Sequence, residues 1–165
     1  MRALSEENNM KNESSRTRKN LEQAFAGESM ANRKYLYFAK HARRLGNTEI
    51  AELFEEIAQQ ETPHAFAHLE LMYPPQTLTV AKLLEIAIEG ELYETNQMYP
   101  EFERVAREEG DVKAVSEFIE QASESREHAD IFTKAAKQFA VLGKVEKIHA
   151  GRYQDALSNL RIEAL

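Results

Sequence analysis

The chain has 165 residues, 30% of them charged, a formal net charge of −7 and no cysteine. That length suits one well-buried domain, and the acidity argues against nucleic acid as a partner. The lack of cysteine excludes disulfides, iron–sulfur clusters, thiolate zinc sites and iron held by four cysteines, so any redox partner must be a separate molecule. No apolar run is long enough to span a membrane and the N-terminus has no apolar h-region, which predicts a cytoplasmic protein without membrane contact. With no Trp, six Gly, four Pro and abundant Ala, Glu, Leu and Lys, the composition predicts an all-α fold.

Residues 1–16 are polar and without periodicity, and read as a flexible arm ahead of a helical domain over 17–165. In the first helix Leu21, Phe25, Glu28, Asn32, Tyr35, Leu36 and Ala39 recur at helical spacing, and Leu45-Gly46-Asn47 is the stop. A second helix starts near Thr48, carries Ile50, Leu53, Phe54, Ile57, Glu61, His64, His68 and Leu71 along its inner stripe, and ends at Tyr73-Pro74-Pro75. Pro63 inside that stripe removes an N–H and predicts a kink or widened turn at His64. The third helix begins at Thr77 to Thr79, carries Leu83, Leu84, Ala87, Glu91, Glu94, Met98 and Phe102, and breaks at Gly110-Asp111.

From Asp111 onward the pattern is helical throughout and repeats itself at an offset of 21 residues. Phe118, His128, Ala129, Phe132 and Ala135 recur as Phe139, His149, Ala150, Tyr153 and Ala156. The second copy carries Glu146-x-x-His149, whereas the first has Ser125 in the glutamate position, with Glu124 and Glu127 beside it.

Two Glu-x-x-His pairs, Glu61/His64 and Glu146/His149, therefore lie in helical sequence, each with an upstream partner segment: Glu28 for the first, Glu91 and Glu94 for the second. Residues three apart share a helix face, so each pair can offer a carboxylate and an imidazole to one point. Taken singly, any of these glutamates or histidines reads as a solvated or satisfied polar residue. On apolar stripes they are costly to leave unpaired, and metal coordination is one of few ways to satisfy them. Such a box of carboxylates and imidazoles matches a carboxylate-bridged two-metal site in a four-helix bundle. Hard oxygen donors with imidazole and no sulfur favour iron or manganese and allow zinc. The set suits two-electron chemistry with dioxygen or peroxide. Tyr35 and Tyr99 are either phenols hydrogen-bonded to ligand carboxylates or core aromatics with a polar tip.

The chain resembles the rubrerythrin family, in particular its short erythrin branch without a rubredoxin domain. The resemblance rests on Ala24-Phe25-Ala26-Gly27-Glu28-Ser29, Tyr35-Leu36-Tyr37-Phe38-Ala39, Glu61-x-x-His64-Ala65, Gly90-Glu91-x-x-Glu94, Met98-Tyr99-Pro100, Arg107-Glu108-Glu109-Gly110 and Lys144-Val145-Glu146-x-x-His149-Ala150. It implies a ferritin-like four-helix bundle with two iron ions in an Fe-O-Fe centre, for which manganese or zinc can substitute. The implied activity is a peroxidase of oxidative-stress defence, reducing hydrogen peroxide to water with electrons from a separate donor such as rubredoxin. By position, Glu28, Glu61, Glu91, Glu94 and Glu146 would be carboxylate ligands and His64 and His149 imidazole ligands. A ferroxidase or iron-handling role on the same site, and a structural metal in a helical oligomer, are the other readings the residues allow.

Two features complicate this picture. Counted from the Gly110 break, His128 stands where the family's fourth-helix histidine belongs, with Ser125 replacing its glutamate. Counted by motif, Glu146/His149 fit but lie about 31 Å further along a continuous helix. The reading favoured here keeps Glu146/His149 and predicts an out-and-back excursion over residues 111 to about 132, turning near Ser123-Glu124-Ser125; Glu124, Glu127 and His128 are the alternative. The second feature is the linker after Tyr73, which reaches at most about 20 Å, although the third helix must start about 18 Å above Glu91 while the second descends about 13 Å below His64. A single chain can scarcely close the bundle, which predicts a homodimer with domain-swapped hairpins.

Overall fold

In the computed structural model, residues 15–163 are described, with side chains detailed as far as 154. The described residues form helices and turns without a strand. Most of the predicted arm, residues 1–14, lies outside the described residues. The chain divides into two compact units, one up to Leu78 and one from Thr79 onward.

The first unit is a helical hairpin of α1 (Arg16–Arg44) and α2 (Thr48–Met72). Ser15 caps α1 by accepting from the Arg18 N–H at 3.0 Å, so the helix begins at the end of the predicted arm. Gly46, at φ 80°, supplies the left-handed turn that ends α1. Asn47 then caps α2 by accepting from the Ile50 N–H at 3.1 Å. The helices meet through small residues, with Ala39, Ala42, Ala51 and Ala58 buried; alanine at a contact lets helix backbones approach closely. Tyr35 and Phe38 flank this seam, both in ring contact with Phe54. Arg43 pairs with Glu55 through two hydrogen bonds, of 3.2 and 2.6 Å. At the far end, Arg18 donates to the Met72 carbonyl at 2.5 Å and lies over the Tyr73 ring at 4.7 Å. Tyr73 ends α2 because the following prolines cannot continue it, and Pro75–Thr77 forms one 3₁₀ turn.

α2 runs unbroken through Pro63, so the widened turn predicted at His64 does not form there. Asn32 of α1 donates to the Ala58 carbonyl at 2.6 Å and to the Thr62 hydroxyl at 3.2 Å, clamping the two helices one turn ahead of the proline.

The second unit contains α3 (Val80–Tyr93), a π turn at Glu94–Met98, α4 (Tyr99–Glu109) and α5 (Val112–Glu163). Thr79 caps α3 by accepting from the Lys82 N–H at 3.2 Å. α3, the π turn and α4 make one helical run from Val80 to Glu109, as the sequence predicts, and Gly110 at φ 75° ends it. Asp111 then caps α5 by accepting from the N–H groups of Lys113 and Ala114. Both α3 and α4 pack against α5, where Tyr99, Phe102 and Phe118 form an aromatic cluster and Ala106, Ser125 and Ala129 are buried.

The π turn has a local cause. Pro100 lacks the N–H that would bond the Asn96 carbonyl, and its ring crowds that carbonyl. The chain widens by one residue, with the Tyr99 N–H bonding the Glu94 carbonyl five residues back. Thr95 and Asn96 turn their side chains onto the carbonyls of Glu91 and Leu92, both at 2.8 Å, supporting the disturbed ladder.

α5 is a single helix of 52 residues. The predicted excursion with a turn near Ser123-Glu124-Ser125 is therefore corrected: nothing between Val112 and Glu163 breaks the helix, because the segment holds no proline and its two glycines stand alone within good helix formers.

Candidate metal centre

In the first unit, α1 contributes Glu28 and α2 contributes Glu61 and His64. Ligand atoms of these three side chains lie within 4.8 Å of one another. His64 Nδ1 stands 3.1 Å from Glu61 Oε2, the three-residue spacing holding the imidazole beside the carboxylate. Glu61 is mostly covered, with 16% of its side chain exposed, while His64 is 60% exposed. The Asn32 clamp lies one turn from Glu28 and fixes α1 against α2 at this level. Tyr35 packs on Phe54 and makes no hydrogen bond to a carboxylate among the described residues.

In the second unit, α3 contributes Glu91 and the π turn begins with Glu94. α5 meets them with the first copy of its repeat. His128 Nδ1 is 3.5 Å from Glu91 Oε2, and Ser125 Oγ donates to Glu94 Oε2 at 2.8 Å. Tyr99 faces the same carboxylates; its phenol is pushed up from its ordinary value by burial first and then by the charges of Glu94, Glu117, Glu91 and Glu124. Glu124 and Glu127 are exposed on α5.

Glu146 and His149 are not brought to this cluster. They sit on an exposed stretch of α5, about 31 Å beyond Ser125 and His128 along the axis. Ser125 as the partner of Glu94 is the element that motif reading passed over, although the serine was visible as the odd residue of the repeat. The π turn was also signalled, by Pro100 placed shortly after Glu94 in a helical stretch.

The donors fit a divalent cation: the first unit gathers two carboxylates and one imidazole, and the second sets His128 beside Glu91 and Ser125 on Glu94, with oxygen and nitrogen donors and no sulfur. Two adjoining carboxylates repel each other unless a cation or a hydrogen-bond donor stands between them.

The cluster of Glu28, Glu61 and His64 across a helical hairpin is the ligand arrangement of helical carboxylate-and-histidine metalloproteins. Residues 19–136 match the protein family described as Rubrerythrin, a stretch that contains Ser125 and His128 and ends before Glu146. Rubrerythrin of Nitratidesulfovibrio vulgaris is 34% identical over 89% of this chain and 72% of its own length. Nigerythrin of the same organism is 37% identical over 72% of the chain and 65% of its own. A solved structure of nigerythrin in its fully reduced, all-ferrous state aligns with 36% identity over 74% of this chain and 66% of that one, at a TM-score of 0.39. The matched part thus spans about two-thirds to three-quarters of these relatives. The chain belongs to the rubrerythrin family.

Proposed function

We propose that the protein is a peroxidase that reduces hydrogen peroxide to water on a pair of iron ions, with electrons from an external donor. The observation that carries this reading is the convergence of Glu28, Glu61 and His64. Membership of the family and the approach of His128 to Glu91 in the second unit support it. The proposed ligands are Glu28, Glu61, His64, Glu91, Glu94 and His128. Their four carboxylates balance the charge of two divalent ions. When bound, the ions would supply the two electrons that, with two protons, convert one peroxide to two waters.

The chain's own groups prepare that reaction. Glu61 orients the His64 ring, whose exposure leaves it room to turn. Tyr99 is held protonated beside Glu91 and Glu94 and keeps a phenolic proton at the cluster. The proposed electron source is a separate carrier of the rubredoxin type, since these residues hold no cysteine to bind a redox iron of their own.

The proposed assembly is a homodimer with exchanged hairpins. Large apolar side chains remain exposed on both units, among them Leu53, Phe38 and Leu83, and a partner that covered them would remove apolar surface from water. Anaerobic stopped-flow mixing of the ferrous-loaded protein separates peroxidase from ferroxidase. Peroxide oxidising the iron much faster than dioxygen is the expected result; the reverse order overturns the peroxidase reading.

A further inference from the structure

The helices of this chain carry three histidines preceded three residues earlier by a short polar side chain or a carboxylate: Glu61/His64, Ser125/His128 and Glu146/His149. The pair that meets Glu91 and Glu94 is the one with serine. Ser125 is 5% exposed, the only buried polar residue among the described residues, and its hydroxyl donates to Glu94 Oε2 at 2.8 Å. A glutamate there, as its repeat carries at Glu146, would set a third carboxylate against Glu91 and Glu94. The hydroxyl instead adds no charge, satisfies one oxygen of Glu94 and fixes the rotamer of that side chain.

We propose that Ser125 is a positioning residue that keeps the metal centre one negative charge short and thereby biases the bound iron toward the ferrous state. This inference rests on the ligand set proposed above. Glu91 and Glu94 together balance one divalent ion, and neutral His128 adds none. Oxidation of that ion leaves a positive charge that a third carboxylate would have compensated. Within a few ångströms of a metal, a unit charge is a large term. It acts on the ferric ion more strongly than on the ferrous one. The Ser125 hydroxyl also engages one oxygen of Glu94 and so would set the orientation in which that carboxylate is offered to a metal.

The test uses the full chain with S125E, S125D and S125A, together with H128A. Redox titration of the bound iron and binding of gallium(III), a redox-inert trivalent ion, are the readouts. The carboxylate variants are expected to lower the midpoint potential and to bind gallium(III) about tenfold or more tightly. S125D carries the same charge on a shorter side chain should the longer one disturb packing at this buried position. S125A, which removes the hydrogen bond without changing charge, is expected to weaken iron(II) binding several-fold while leaving the midpoint close to wild type. Carboxylate variants that retain wild-type potential and gallium affinity while still binding iron overturn the role of Ser125. Full iron stoichiometry in H128A overturns the ligand set itself, a separate failure.

Discussion

Replacing Asn32 with alanine removes a side chain that ties α1 to α2 at the level of Glu28 and Glu61. Its amide donates to the Ala58 carbonyl at 2.6 Å and to the Thr62 hydroxyl at 3.2 Å. Ala58 is fully buried, so water cannot readily replace the first donor, whereas the Thr62 hydroxyl is exposed and can be rehydrated. One fully lost hydrogen bond and one partly replaced give about 1–2 kcal/mol of destabilisation. N32L, similar in volume but without donors, separates lost packing from lost hydrogen bonding: both variants should fall by similar amounts if the amide is what matters. Urea unfolding of the metal-free protein at fixed concentration measures this, with a shifted midpoint and an unchanged slope expected. The same variants should bind their first equivalent of iron(II) more weakly, since Glu28 is no longer held against Glu61. A loss below about 0.3 kcal/mol in both would refute the clamp.

Other consequences can be checked in the same way. P100A restores the missing N–H, so the π turn should revert toward regular helix, rotating Glu91 and Glu94 together relative to α4 by up to about 100° around the axis; iron stoichiometry should fall by one equivalent without loss of helicity by circular dichroism. R18A removes the hydrogen bond to the Met72 carbonyl and the cation–π contact with Tyr73, which should cost about 1–2 kcal/mol in urea unfolding and leave iron binding unchanged. Removing metal by chelation should lower the thermal midpoint, and iron(II) at a hundredfold excess over its dissociation constant should return about 2.7 kcal/mol.

The helices were legible because their ends carry local chemistry. Asn47, Thr79 and Asp111 cap the helices that follow them, while Gly46 and Gly110 supply left-handed turns; each of these signals acts within a few residues. The convergence of Glu28, Glu61 and His64 was legible too, since spacing along two adjacent helices places those side chains. The fourth-helix partners were not. An offset of 21 residues rotates the helix face by only about 60° from the starting direction, so both copies of the repeat present similar stripes. Motif completeness favoured Glu146/His149; helical continuity from the Asp111 cap favours Ser125/His128, and only the packing of α3 and α4 on α5 distinguishes them. Pro63 and Pro100 make the same point in miniature. Both remove an N–H, yet only the second is accompanied by a π turn.

In the proposed ligand set two irons are bound through Glu28, Glu61 and His64 together with Glu91, Glu94 and His128. Anomalous diffraction from iron-loaded crystals of the full chain tests it most directly. Two iron peaks per centre are expected, with His128 coordinated, Ser125 bonded to Glu94 and no metal at Glu146 or His149. An iron bound by Glu146 and His149, or a single ion with His128 left free, would contradict it.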